Sequence, residues 1–133
     1  STMLERVKRL EDGGIIKGYR AVVDQEKIGL TVQGFVCLIL DRHQVEDINR
    51  VEQNIREISN VRACYHITGR FDYLLHVVAK DLNDLGRVVK QQIAYTPGIS
   101  RIETLLVYDE VKSDTGCPVQ ATCEQTPTPK DEE

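Results

Sequence analysis

The sequence predicts an α+β domain, and three observations carry that prediction. Four short stretches are strand-like in their apolar content, two longer ones space apolar residues at helical intervals, and the two kinds alternate in a fixed order. The order is strand, helix, strand, strand, helix, strand, over residues 33–112. This is the split βαβ, or ferredoxin-like, pattern, an antiparallel sheet with two helices on one face. One helix and a hinge strand are expected ahead of it.

The leading helix is "STMLERVKRLEDGG". Ser1 or Thr2 caps it, Leu4, Val7 and Leu10 share one face, and Gly13-Gly14 ends it. In "IIKGYRAVVDQEKIGL" a hinge strand is expected at residues 19–23, followed by a polar link. "QGFVCLIL", starting at Gln33, is a nearly continuous apolar strand, and "QVEDINRVEQNIREIS" sets Val45, Ile48, Val51, Ile55 and Ile58 at helical spacing. "VRACYHIT" is a strand expected to hold Val61, Ala63, Tyr65 and Ile67 on one face, and "YLLHVVA" is its partner beyond a turn at Gly69-Arg70. "DLNDLGRVVKQQIAYTPG" is the second helix, with Leu82, Leu85, Val89 and Ile93 inward and Pro97-Gly98 as its stop. "ISRIETLLVYDEV" closes the sheet.

The strands carry apolar residues on both faces, Leu74 and Val78 as well as Tyr73, Leu75 and Val77. Two helices cover one face only. A second copy of the sheet is the economical cover for the other, so a homodimer at least is expected. The domain plan is a head helix at 1–18, a hinge at 19–32, the main domain at 33–112 and a tail at 113–133. The tail holds turn formers, two Thr-Pro steps and an acidic end. It reads as disordered or loosely docked, with docking on a neighbouring subunit as the alternative.

Composition sets the bounds. With 133 residues, 41% apolar and 29% charged, the chain suits one soluble domain plus appendages. No run approaches the roughly 18 apolar residues a membrane helix needs, and no signal-peptide core opens the chain, so no membrane contact and a cytoplasmic location are expected. The net charge of −4 divides into +2 for residues 1–20, −2 for 21–112 and −4 for the tail. The head is weakly basic, without the stripe that alone declares a nucleic-acid binder.

Cys37 and Cys64 fall in apolar runs and read as buried thiols. Cys117 and Cys123 lie in the tail, where a disulfide between them would be unusual in a reducing compartment. His43, His66 and His76 lack ligand spacing, so neither metal nor cofactor is expected. His66 and His76 lie on neighbouring strands and are candidates to pair across the hairpin. Neither a carboxylate pair for acid–base work nor a nucleophile elbow nor a phosphate loop is present, and the chain reads as a non-enzyme.

The turn "TGRFDY" has two readings. As a hairpin turn, Gly69 takes a positive φ and Asp72 caps local backbone. As a site, the glycine admits a ligand close to the backbone, exposed N–H groups receive a carboxylate, and Asp72 takes an α-ammonium group.

Two separated stretches resemble one family. "LERVKRLEDGGIIKGYRAVVD" is similar to the end of the DNA-binding head and the hinge of the leucine-responsive/asparagine-type (Lrp/AsnC) transcription regulators. "YHITGRFDYLLHVVAKDLNDLGRVV" with "TPGISRIETLLVYDEVK" resembles their effector-binding regulatory (RAM-type) domain. The likeness spans residues 3–112. It implies an amino-acid-responsive regulator whose dimers assemble further, octamers being common, with a free amino acid bound between dimers. By position, the implied effector residues are Gly69, Arg70, Asp72, Ala94, Thr104, Leu105 and Leu106. Arg70 stands where many members carry an acid, and holds a carboxylate bidentately, pairs with Asp72 or reaches solvent. Ala94 leaves room for a larger side chain or serves helix propensity.

The same likeness makes the first helix a recognition helix, with Thr2, Glu5, Arg6, Lys8 and Arg9 facing DNA. The two helices that support it in the family are expected to be missing here, which weakens DNA contact and suggests action through a full-length paralogue. Two rivals stand beside this reading. One is an ACT-like small-molecule-binding module that regulates an enzyme or a full-length partner, which has no need of a basic head helix. The other is a small dimeric α+β enzyme using His66 or His76.

Overall fold

The computed structural model describes residues 2–41 and 44–119. Its elements are α1 (Met3–Asp12), β1 (Val32–Leu40), α2 (Val45–Glu57), β2 (Val61–His66), β3 (Tyr73–Ala79), α3 (Leu82–Arg87), a π-helical continuation of α3 (Val88–Ile93), and β4 (Ile99–Leu106). The strands form one antiparallel sheet in the order β2-β3-β1-β4. This is the ferredoxin-like arrangement expected from the element order.

Side-chain alternation decides the core. Val36, Leu38 and Leu40 of β1 and Tyr73, Leu75, Val77 and Ala79 of β3 point toward the helices, where Val51 and Ile55 of α2 and Leu85, Val88 and Ile93 meet them. Burying each large aliphatic side chain there contributes about 1.5–3 kcal/mol. The opposite face of the sheet carries Phe35, Ile39, Leu74 and Leu105, and no element among the described residues packs across it.

Gly34 marks the closest approach of β1 and β4. A Cβ there would stand 2.9 Å from the Leu105 carbonyl oxygen. Only glycine lets the two strands lie at this separation.

Four expectations need correction. The hinge at residues 19–23 forms no strand, and Tyr19, Val22 and Val23 are exposed. A strand needs a neighbouring backbone, and the described chain offers none there. In β2 the register slips between Val61 and Ala63, so Val61, Cys64 and His66 share the helix face while Ala63 and Tyr65 share the open one. The bulge at Arg62 inverts the phase that simple alternation predicts. The second helix widens after Arg87: the Ala94 N–H reaches the Val89 carbonyl, five residues back, at 2.8 Å. That winding puts Val88 and Ile93, five apart, on one buried face, while Leu82 is exposed. Lastly, β4 ends at Leu106 and the residues after it pair as no strand, although the Val107 N–H still bonds the Gln33 carbonyl.

Residues 113–119 are exposed and carry no helix or strand. The rest of the expected tail, Cys123 and any Cys117–Cys123 bridge lie outside the described residues, as does His43.

Candidate functional site

The turn between β2 and β3 is built by short-range bonding. The Ile67 N–H donates to the Asp72 carbonyl at 2.9 Å, and Gly69 at its tip has φ +107°. A side chain at Gly69 would meet no atom, so the backbone conformation alone calls for glycine there. Beyond the turn the Asp72 N–H donates to the Leu38 carbonyl at 2.8 Å, and its carboxylate accepts from the Leu40 N–H at 2.8 Å. Asp72 therefore extends the β1–β3 ladder past its last backbone pair. The turn reading has this carboxylate capping local backbone; it instead caps β1, 32 residues away in sequence.

Arg70 turns to Phe71 and Glu103 rather than to Asp72. Its guanidinium lies 5.4 Å from the Phe71 ring centroid and 4.0 Å from the Glu103 carboxylate on β4. Arg70 is exposed and Glu103 half-buried, the oxygen facing Arg70 being itself covered, and at this separation such a pair contributes about 0–1 kcal/mol.

The other implied effector residues lie elsewhere on the protomer. Ala94 is exposed at the end of the π-helical segment. Thr104 and Leu106 stand opposite Val36 and Gly34, on the helix side of edge strand β4, while Leu105 stands opposite Phe35 on the open face. Along the strand direction Thr104 sits about 10 Å from the level of Asp72. One chain thus holds all seven positions at or near its surface, spread over the turn, the end of the π-helical segment and β4.

Of the residues expected at DNA, Thr2 and Glu5 close a capping box on α1: the Thr2 side chain accepts from the Glu5 N–H and the Glu5 carboxylate from the Thr2 N–H. Arg6, Lys8 and Arg9 are exposed along a helix that buries none of its residues. The Tyr19 hydroxyl donates to the Glu11 carboxylate at 2.9 Å, tying the following segment back to α1.

The histidines do not pair. His66 stacks on Tyr73 under α2, with centroids 4.5 Å apart, whereas His76 stacks on Phe35 at 4.9 Å on the open face. His76 Nε2 is 2.8 Å from Gln33 Oε1, whose amide in turn reaches Glu110. Burial, then the nearby Arg62, lowers the His76 pKa, with Glu110 opposing. Cys37 is buried as expected, but Cys64 is exposed. No cluster of three or more His, Cys, Asp or Glu side chains suited to a metal occurs among the described residues.

A hollow that sequence reasoning missed lies between α2 and edge strand β2. It measures about 320 Å³ and has Tyr73 at its base, Glu52 and Arg56 on the helix side, and Arg62 and Cys64 on the strand side. The residues that line it are individually ordinary, and no motif flags them.

The chain is a ferredoxin-like domain with one uncovered sheet face and a glycine turn at its end, a fold that many functions share. Residues 33–117 match the family model of the Lrp/AsnC ligand binding domain. The transcriptional regulator AzlB of Bacillus subtilis is 31% identical over 119 residues, 90% of this chain and 76% of that protein. The proline dehydrogenase transcriptional activator of Rhizobium radiobacter is 35% identical over 111 residues, 84% of this chain and 70% of that protein. Among solved structures, a Neisseria meningitidis transcriptional regulator in complex with L-methionine superposes with a TM-score of 0.85 at 28% identity, covering 90% of this chain and 77% of that one. The feast or famine regulatory protein of M. tuberculosis, also complexed with L-methionine, gives 0.71 at 26% identity, covering 86% and 75%. The chain belongs to the Lrp/AsnC family of transcription regulators.

Proposed function

We propose that this chain is the sensing and assembling part of an amino-acid-responsive transcription regulator, and that a free amino acid binds at the turn of Gly69, Arg70 and Asp72 in a site completed by another copy. The observation that carries this reading is the dispersal of the seven effector positions: each is at or near the surface, spread over the turn, the end of the π-helical segment and β4. A ligand with one carboxylate and one ammonium group then needs a neighbouring protomer to close around it. The uncovered sheet face supplies the dimer contact, and further joining of dimers, up to rings of four, brings turns and β4 edges together. Two relatives of known structure are complexes with L-methionine, which supports an amino acid as the ligand class.

No bond chemistry is assigned to the chain, and no cofactor. Helix α1 is ten residues long and buries none of them, so its phosphate contacts are few. DNA contact is then a property of the assembly, in the cytoplasm. The basic face of α1 fits this better than an ACT-like module attached to an enzyme.

The test is thermal unfolding against the twenty amino acids, for the wild type and for Asp72→Asn, with sedimentation on each hit. The asparagine keeps an acceptor for the Leu40 N–H while removing the charge. A ligand at 100 times its Kd adds about 2.7 kcal/mol. The expected outcome is an amino acid that raises the midpoint and shifts assembly in the wild type and does neither in the variant. Twenty amino acids without effect would overturn the reading.

A further inference from the structure

The hollow between α2 and β2 differs from the turn in one respect: a single chain builds all of it. Its floor is Tyr73, whose side chain is 1% exposed, and whose hydroxyl is buried without a hydrogen-bond partner. His66, stacked on the same ring, fixes its position. A phenylalanine would fill the same space without stranding a polar atom, so the hydroxyl is retained at a cost to the fold. Among the described residues no ion pair joins Glu52 to Arg56, although they stand at the helical spacing that commonly pairs them; the Glu52 carboxylate instead faces the Tyr73 hydroxyl and acts on it. The apolar wall is Ile55 with Val61.

We propose that this cleft is a small-molecule site complete within one protomer, taking a small carboxylate with a hydrogen-bond donor on its α-carbon, that is, an α-amino or α-hydroxy acid. Arg56, Arg62 and the Tyr73 hydroxyl offer donors to the carboxylate. Glu52 is the acceptor for the α-substituent, and Ile55 and Val61 receive a short aliphatic side chain. The volume of about 320 Å³ falls at the small end of ligand pockets. Burial, with the Glu52 carboxylate and Cys64 close by, pushes the Tyr73 pKa up to about 12, which keeps the phenol protonated and able to donate.

The test titrates the full chain with L-valine, its α-hydroxy analogue and isovalerate, which bears neither group, and follows the methyl resonances of Ile55 and Val61. Either of the first two is expected to shift those methyls, with isovalerate binding much more weakly. Tyr73→Phe should weaken binding roughly tenfold, the effect of one lost hydrogen bond to a charged group, while raising the melting temperature of the unliganded protein. Glu52→Gln should weaken L-valine more than its hydroxy analogue and so separate the two acids. Asp72→Asn, which tests the turn, should leave these shifts unchanged. Equal binding of isovalerate, or unaltered binding by Tyr73→Phe with its fold intact, would overturn the proposal. So would the absence of any methyl shift at millimolar ligand, whatever the turn does.

Discussion

Replacing Gly34 by alanine tests how the sheet is packed where β1 meets β4. The added Cβ would lie 2.9 Å from the Leu105 carbonyl oxygen and 3.8 Å from Leu85 Cδ2. Carbon–oxygen contacts in sheets settle at about 3.3–3.6 Å, so the strands must part by roughly 0.4 Å or more. In an unobstructed strand, alanine for glycine would stabilise by about 0.5–1 kcal/mol through lost unfolded-state entropy. Overpacking a tight contact costs about 1–3 kcal/mol, and here the obstacle is backbone, which cannot swing aside. The contact wins, and a net loss of about 1–2 kcal/mol is expected. Thermal unfolding should then show the midpoint fall by roughly 5–15 °C for a domain of this size. An unchanged or higher midpoint would refute the reasoning, because it would mean the Leu105 carbonyl yields without cost.

Asn54 joins α2 to the end of the π-helical segment, donating to the Gln92 carbonyl and to the buried Thr96 hydroxyl. Asn54→Ala should cost about 1–3 kcal/mol by leaving those acceptors unpaired, seen as a lower urea midpoint at unchanged m. For His76 the folded pKa lies below the ordinary histidine value of 6.5. Its contribution is therefore complete above that value and lost as the pH falls through the folded pKa; stability measured from neutral to mildly acid pH should decline in the wild type and less in His76→Gln. Arg70→Ala should move stability by no more than about 1 kcal/mol, given a long 4.0 Å pair with Glu103 in which Arg70 is exposed. A large loss of amino-acid binding in that variant, measured by calorimetry, would make Arg70 a ligand contact.

Much of the fold was legible because β1 and β3 are nearly continuous apolar runs and α2 keeps its spacing through Val51, Ile55 and Ile58. The bulge at Arg62 was not legible, since one inserted residue reverses the phase of a strand without changing its composition. The π-helical turn was hidden for a related reason. Leu85, Val89 and Ile93 satisfy α-helical spacing on paper, and only the packing of Val88 and Ile93 against the sheet reveals the wider winding. The hinge failed as a strand because pairing is a property of two backbones, and the sequence displays one. At the turn, glycine signalled the backbone geometry correctly, whereas the bond from Asp72 to Leu40 joins residues 32 apart and carries no local mark. The unpartnered Tyr73 hydroxyl is likewise a tertiary fact: the residue reads as ordinary core until its surroundings are known.

The two proposed sites make opposite demands on assembly, and that difference is measurable. A ligand that binds only where protomers meet stabilises the associated state and leaves the separated chain unaffected, so its free energy appears as association. Its shift of the unfolding midpoint must then grow or shrink with protein concentration, because dilution removes the site itself. A ligand of the α2–β2 cleft finds its site intact in every chain. The midpoint shift that it produces, at fixed free ligand, must be independent of protein concentration, and sedimentation must not change with it. Unfolding measured over a range of protein concentrations with L-valine present therefore assigns each increment of stability to one site or the other. A concentration-independent shift that survives Asp72→Asn and disappears in Tyr73→Phe belongs to the cleft; a concentration-dependent shift with the reverse pattern belongs to the turn.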